Sequence, residues 1–153
     1  MSALADSVPH IRAMTEADLQ PVIRIEGAIY SHPWTRGNFA DSIKAGYTCL
    51  VMEVGGEIVA YGVLMLAAQE AHILNVSVAE SSKRNGYGRT LVLSFIDAAR
   101  LYGASQILLE VRLSNVAGRG LYVSMGFQSV TVRPGYYPAM HGREDAILMG
   151  LAL

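Results

Sequence analysis

Little in this chain points to the commoner site chemistries. There is one cysteine and one tryptophan, and 153 residues carry a formal net charge of −1. A lone Cys49 cannot close an internal disulfide, which fits a reducing compartment and predicts a cytoplasmic protein. It sits in an apolar run, Cys49-Leu50-Val51-Met52, and reads as a buried inert thiol rather than a nucleophile. The balanced charge gives no support to a general nucleic-acid or membrane-surface binder. The four histidines, His10, His32, His72 and His141, are scattered without ligand spacing, so no metal site is predicted. No apolar run reaches the roughly 20 residues of a membrane span. Residues 1–8 read as a loose leader; without a basic stretch before an apolar core, they predict no signal peptide.

What is present is a core. Hydrophobic residues make up 52% and charged residues 16%, ample for one packed domain over residues 1–153. His10 to Met14 reads as a short first strand. Thr15-Glu16-Ala17-Asp18 resembles a capping box, opening a helix with apolar Leu19, Val22 and Ile23. Pro33-Trp34-Thr35 breaks the chain, and Thr35 caps a second short helix through Phe39 and Ile43 to about Ala45. Two β-rich runs, Thr48 to Val54 and Glu57 to Leu66, flank Gly55-Gly56 and predict a hairpin. Ala71 to Val78 extends it. A helix follows to about Gly103, then a buried strand Gln106 to Val111 that is a parallel neighbour of the strand before that helix. Asn115 to Met125 reads as a helix, and Phe127 to Val132 and Ala146 to Leu151 as the last strands, with residues 133–145 a loop between them. The fold class is α+β: a mixed sheet of six or seven strands with helices on both faces.

One stretch organises the rest. Lys83-Arg84-Asn85-Gly86-Tyr87-Gly88-Arg89 lies between an apolar strand and a helix. A helix start leaves backbone N–H groups unpaired and carries the positive end of the dipole, so this turn suits an anion. Gly86 and Gly88 permit close approach of a phosphate. An ordinary strand-to-helix turn with basic residues in water would look similar. A Walker loop is excluded because no Gly-Lys-Ser/Thr ending follows. A dinucleotide fingerprint wants a third glycine where Leu91 stands, and too few residues follow Glu110 to complete such a sheet.

Glu110 interrupts the most apolar strand of the chain. A carboxylate there must end at a cleft, pair with a cation such as Arg112 or Arg84, or be costly to bury. Partial burial would raise its pKa and suit it to general-base work. Tyr122 lies mid-helix beside Leu121. If Leu121 serves the core, Tyr122 turns to a cleft edge, where a phenol can protonate a leaving group; plain packing is the simpler account. Asn115 either caps its own helix or hydrogen-bonds a ligand. Trp34 is either a core anchor or a substrate contact. Tyr136 and Tyr137, with Arg143, Glu144 and Asp145, form a polar-aromatic set suited to gripping a peptide end; a solvated loop would look similar.

Taken in order, Val76-Ser77-Val78, Arg84-Asn85-Gly86-Tyr87-Gly88-Arg89, Leu109-Glu110-Val111, and Asn115 followed by Leu121-Tyr122-Val123-Ser124-Met125-Gly126-Phe127 resemble the GNAT acetyltransferases. Pro33-Trp34, Tyr136-Tyr137-Pro138 and Gly142-Arg143-Glu144-Asp145-Ala146 look like its RimI type, which acetylates the N-terminal alanine of a small-subunit ribosomal protein. Lys83 departs from the pattern, which usually has Gln or Arg there. The resemblance implies a GNAT-like three-layer fold and acetyl-CoA as co-substrate. It implies pyrophosphate binding by Arg84, Asn85, Gly86, Tyr87, Gly88 and Arg89, and pantetheine binding along Val76, Ser77 and Val78. It further implies a cofactor contact from Asn115, Glu110 as base, Tyr122 as acid, and a protein N-terminus held near Trp34, Tyr136 and Tyr137. A GNAT acting on a small amine or a lysine side chain, and an acyl-CoA-sensing module without turnover, are the competing readings.

Overall fold

The structure, a computed structural model, describes residues 8–153. The leader read over residues 1–8 lies, apart from Val8, outside the described residues. Seven strands and four α-helices are found among them: β1 (His10–Ala13), α1 (Leu19–Ile29), α2 (Arg36–Lys44), β2 (Thr48–Val54), β3 (Glu57–Ala67), β4 (Glu70–Val78), α3 (Tyr87–Tyr102), β5 (Gln106–Arg112), α4 (Val116–Ser124), β6 (Gln128–Pro138) and β7 (Arg143–Ala152). The strands join one sheet in the order β1-β2-β3-β4-β5-β7-β6. It is mixed, because β4 and β5 run parallel while β1–β2, β2–β3, β5–β7 and β6–β7 are antiparallel. The α+β class and the seven-strand alternative are therefore as the sequence predicts.

Among the described residues the chain divides into two compact units, residues 8–64 with 75–95, and residues 65–74 with 96–153. In the first, Leu19, Val22, Phe39, Val51, Met52, Tyr61, Leu91 and Phe95 are all but inaccessible to solvent. The apolar spacing of α1 and α2 creates this packing, and Thr35 Oγ1 caps α2 by accepting from the Asn38 backbone N–H at 3.1 Å. Gly62 is required in β3, since a Cβ there would lie 2.5 Å from the Asn75 carbonyl oxygen and 2.8 Å from the Phe95 ring.

The Thr15–Asp18 capping box forms, but Asp18 also accepts two 2.7 Å hydrogen bonds from Arg12, which pairs with Glu53 as well. The Arg12 guanidinium lowers the Asp18 carboxyl from its ordinary 3.8 to about 2, against the opposing effect of burial. A carboxyl depressed in the folded state stabilises the fold above its unfolded pKa and loses that contribution as pH falls through the folded value. Acid unfolding should therefore steepen between about pH 4 and 2, and Asp18→Asn should remove about 2 kcal/mol of that dependence. Denaturant titrations of both proteins at several pH values check this; parallel stability curves would contradict it.

In the second unit, β5 alternates rather than being buried on both faces. Ile107, Leu109 and Val111 are buried, and Gln106, Leu108, Glu110 and Arg112 share the half-buried face. The loop expected over residues 133–145 is largely strand. β6 runs on to Pro138, and Tyr137 pairs with Glu144 and Pro138 with Arg143 across a register shift. The cause lies in side chains: Arg143 donates to the Gly135 carbonyl at 2.6 Å and the Tyr136 carbonyl at 3.1 Å, while Asp145 accepts from the Gly135 N–H at 2.9 Å. Gly135 takes φ +59, and the strand sits at the sheet edge, where Pro134 and Pro138 disturb no inner ladder.

Candidate active site

The parallel ladder of β4 and β5 fixes the centre of the second unit. Its register sets His72 opposite Leu108, and Ile73 opposite Leu109. Alternation then places the Glu110 side chain on the face that His72 shares. His72 Nε2 and Glu110 Oε2 lie 2.5 Å apart, and Arg133 Nε, from β6, lies 3.3 Å from Glu110 Oε1. The Glu110 side chain is 9% exposed and that of His72 is 23% exposed.

Two expectations about Glu110 are corrected here. Its partners are His72 and Arg133, not Arg112 or Arg84. Arg112 instead donates to the Pro138 carbonyl and to Glu144. Burial does push the Glu110 carboxyl up, but the His72 hydrogen bond and the charges of His72 and Arg133 outweigh it, and the pKa is lowered overall. Such a carboxylate stays ionised at neutral pH.

Tyr122 follows the simpler, packing account. It is the buried residue of the pair and Leu121 the half-buried one, because the phenol ring packs 5.7 Å from that of Phe127. Tyr137 is electrostatically coupled to both Glu110 and Tyr122; burial, then the Glu110 charge, raise its pKa. Arg112 stacks 4.4 Å over the Tyr137 ring. The same unit thus gathers Glu110, Tyr122 and Tyr137, with Tyr136 edge-on to Tyr137 at 4.9 Å and 45% exposed. The charged residues expected to grip a peptide have other duties. Arg143 and Asp145 brace the hairpin, and Glu144 accepts from the Ser114 N–H at 2.8 Å and from Arg112 at 3.1 Å. Asn115 Oδ1 caps α4 through the Gly118 N–H at 2.9 Å.

In the first unit, alternation along β4 buries Asn75 and Ser77 and leaves Val76 and Val78 half-buried on the opposite face. The buried pair enters a network that the sequence reading missed. Glu26, 2% exposed, accepts from the Tyr61 hydroxyl at 2.7 Å, the Asn75 amide at 3.3 Å and the Trp34 backbone N–H at 2.9 Å. Ser77 Oγ donates to Asn75 Oδ1 at 2.7 Å and lies 2.6 Å from the Tyr30 hydroxyl. A signal existed: Glu26 stands seven residues after Leu19 and four after Val22, on the buried stripe of α1. Trp34 is half-buried, its ring 5.1 Å from Phe39. Cys49 is buried, which pushes its thiol up to about 11, as an inert thiol requires.

Arg84 takes φ +68 and Gly86 φ +75, and α3 begins at Tyr87, earlier than predicted, so that Gly88 and Arg89 belong to its first turn. Asn85 braces the loop by donating to the Ser82 carbonyl at 2.9 Å. Lys83, the odd residue of the loop, pairs with Glu80 at 3.0 Å. Nothing described lies within 4 Å of where a Gly86 Cβ would stand. These features fit a phosphate above a helix N-terminus.

A model of the acetyltransferase (GNAT) family matches residues 19–127. The chain belongs to the GNAT family. It is 34% identical to the [ribosomal protein bS18]-alanine N-acetyltransferase of Escherichia coli K12, over 94% of this chain and 97% of that one. The counterpart from Haemophilus ducreyi is 33% identical, over 94% and 99%. The crystal structure of the Escherichia coli ribosomal-protein-S18-alanine N-acetyltransferase superposes with a TM-score of 0.88 over 95% of this chain and 94% of that one. Ard1 from Thermoplasma volcanium superposes with a TM-score of 0.87 at 26% identity, over 95% and 97%. This GNAT protein is accordingly an N-acetyltransferase, and GNAT acetyltransferases use acetyl-CoA.

Proposed function

We propose that the enzyme transfers an acetyl group from acetyl-CoA to the α-amino group of a protein N-terminus, with the N-terminal alanine of ribosomal protein bS18 as the substrate. The observation that carries this reading is the end-to-end likeness to enzymes of that specificity, at 34% identity over 94% of the chain. Residues 1–153 act as one N-acetyltransferase domain in the cytoplasm.

Acetyl-CoA, when bound, supplies a thioester open to attack by a free amine. Arg84 to Arg89 hold its pyrophosphate at the start of α3. Backbone N–H groups along Val76 to Val78 hold the pantetheine arm and polarise the acetyl carbonyl, which needs no particular side chain. Asn115 caps α4 with its oxygen and turns its remaining amide hydrogens to the cofactor. Glu110 takes a proton from the α-ammonium group of the acceptor. That group titrates near 7.7–8.0, so a carboxylate suffices. Tyr122 protonates the departing thiolate. Trp34, Tyr136 and Tyr137 contact the acceptor peptide.

Incubation with acetyl-CoA and a synthetic peptide starting at alanine should give one acetyl group, assigned to the α-nitrogen by fragmentation mass spectrometry. Acetylation at lysine alone would replace this reading with the side-chain one. The loop has its own test. Gly86→Val forces a β-branched residue into φ +75, at a strain of roughly 1–3 kcal/mol that the loop escapes by moving. Calorimetry should show acetyl-CoA binding weakened by about tenfold or more; unchanged affinity would remove the loop from the pyrophosphate site.

A further inference from the structure

We propose that Glu26 is a positioning residue for the acceptor: its one carboxyl group ties the connection that carries Trp34 to the strand that holds acetyl-CoA. This rests on the reading of Trp34 as an acceptor contact and of Val76 to Val78 as the cofactor segment. The two oxygens serve different segments of the first unit. Oε2 accepts from the Trp34 backbone N–H at 2.9 Å, between α1 and α2. Oε1 accepts from the Tyr61 hydroxyl at 2.7 Å and from the Asn75 amide of β4 at 3.3 Å. For packing alone this residue is a costly choice. Glu26 is 2% exposed on the apolar stripe of α1, and no ion pair reaches it among the described residues. An apolar side chain would fill the stripe without the desolvation of a carboxyl group. What it would lack is a pair of acceptors aimed at two separate segments.

Each tie continues beyond the carboxyl group. On the acceptor side, the Trp34 ring packs 5.1 Å from Phe39, and Phe39 lies edge-on to Tyr61 at 5.8 Å. Because Tyr61 also donates to Glu26, both the backbone and the ring of Trp34 are anchored to one group. On the cofactor side, Ser77 donates to Asn75 Oδ1 at 2.7 Å, which leaves the Tyr30 hydroxyl as the donor to Ser77 at 2.6 Å. Tyr30 in turn closes α1, its N–H on the Glu26 carbonyl at 3.1 Å. Asn75 and Ser77 flank Val76, so this chain of bonds fastens the cofactor segment of β4 to the end of α1. Glu26 thereby fixes Trp34 relative to that segment.

Glu26→Gln is the test, because it keeps the shape but offers one accepting oxygen. Turned toward β4, its NH2 group meets the Asn75 amide; turned toward Trp34, it meets a backbone N–H that can only donate. Asn75 cannot turn over without losing the bond from Ser77, so one tie breaks in either orientation. With acetyl-CoA and an alanine-starting peptide, the peptide KM should rise by about tenfold while kcat stays within about twofold. Calorimetric acetyl-CoA affinity should be unchanged. The chain's single tryptophan reports the tie without turnover: acrylamide should quench Trp34 fluorescence more readily in Glu26→Gln. A purely structural Glu26 lowers only the melting temperature, and the folded variant then handles peptide as wild type does. An unchanged peptide KM, unchanged quenching, or an equal loss of acetyl-CoA affinity overturns the proposal. Trp34→Ala measured alongside separates the two ideas. If the peptide KM rises there and not in Glu26→Gln, only the positioning role falls; if it is unchanged in Trp34→Ala, the acceptor reading of Trp34 falls and the proposal with it. Should Glu26→Gln not fold, Asn75→Ala cuts the same bridge from β4 and must show the same rise in peptide KM; a wild-type KM there overturns the proposal.

Discussion

Glu110→Gln should lower turnover by about 10²-fold or more while leaving acetyl-CoA affinity nearly unchanged. The amide keeps the size of the carboxyl group but cannot accept a proton from an ammonium nitrogen. It also stands between His72 Nε2 at 2.5 Å and Arg133 Nε at 3.3 Å, where its one carbonyl oxygen can accept from only one of them and its NH2 group faces the other. The substitution should cost stability too. The folded Glu110 carboxyl titrates below its ordinary value, so it stabilises the fold above the unfolded pKa and loses that contribution as pH falls. Glu110→Gln should therefore be less stable than wild type at neutral pH, with the difference shrinking in acid. Steady-state kinetics with saturating peptide, calorimetric acetyl-CoA binding and thermal melts at two pH values check all three. Equal turnover in the two proteins would sink the base assignment.

Glu26→Ala carries the largest expected loss of stability. It leaves the Tyr61 hydroxyl, the Asn75 amide and the Trp34 N–H without their acceptor, and Tyr61 is inaccessible to solvent. Each orphaned buried donor costs about 1–3 kcal/mol, so the three together cost roughly 3 kcal/mol or more, and a cavity adds to this. In a chain of this length that corresponds to a Tm lower by roughly 10 °C or more. Glu26→Gln retains one accepting oxygen and should lose less. Calorimetric melting of the three proteins decides; a Glu26→Ala melt within a degree or two of wild type would show that the network contributes little.

Local rules made most of the elements legible. The Gly55-Gly56 hairpin, the Thr35 cap, the parallel β4–β5 pair and the basic turn before α3 each follow from neighbouring residues, and each forms. The misses are tertiary. No local rule reports that Arg143 and Asp145 fasten their side chains to Gly135, so residues 133–138 read as loop rather than bulged strand. Tyr122 takes the packing role that was its simpler account, but the partner that holds its ring, Phe127, belongs to the turn after the helix and no local rule names it. His72 was set aside as a scattered histidine, although Glu110 already implied that a neighbouring strand must supply its partner. Glu110 itself stood out correctly as a carboxylate among apolar residues, but the direction of its pKa shift depended on partners 38 residues upstream and on β6.

Competition among acceptors tests the central claim most directly. The enzyme would be given acetyl-CoA and an equimolar mixture of an alanine-starting peptide, the same peptide blocked at its α-amine but carrying a lysine, and small free amines. Products would be resolved by mass spectrometry. The α-acetylated alanine peptide should accumulate first and dominate, and it should form about 10²-fold or more slowly with Glu110→Gln. Preferential acetylation of the blocked lysine peptide or of a small amine would contradict the account.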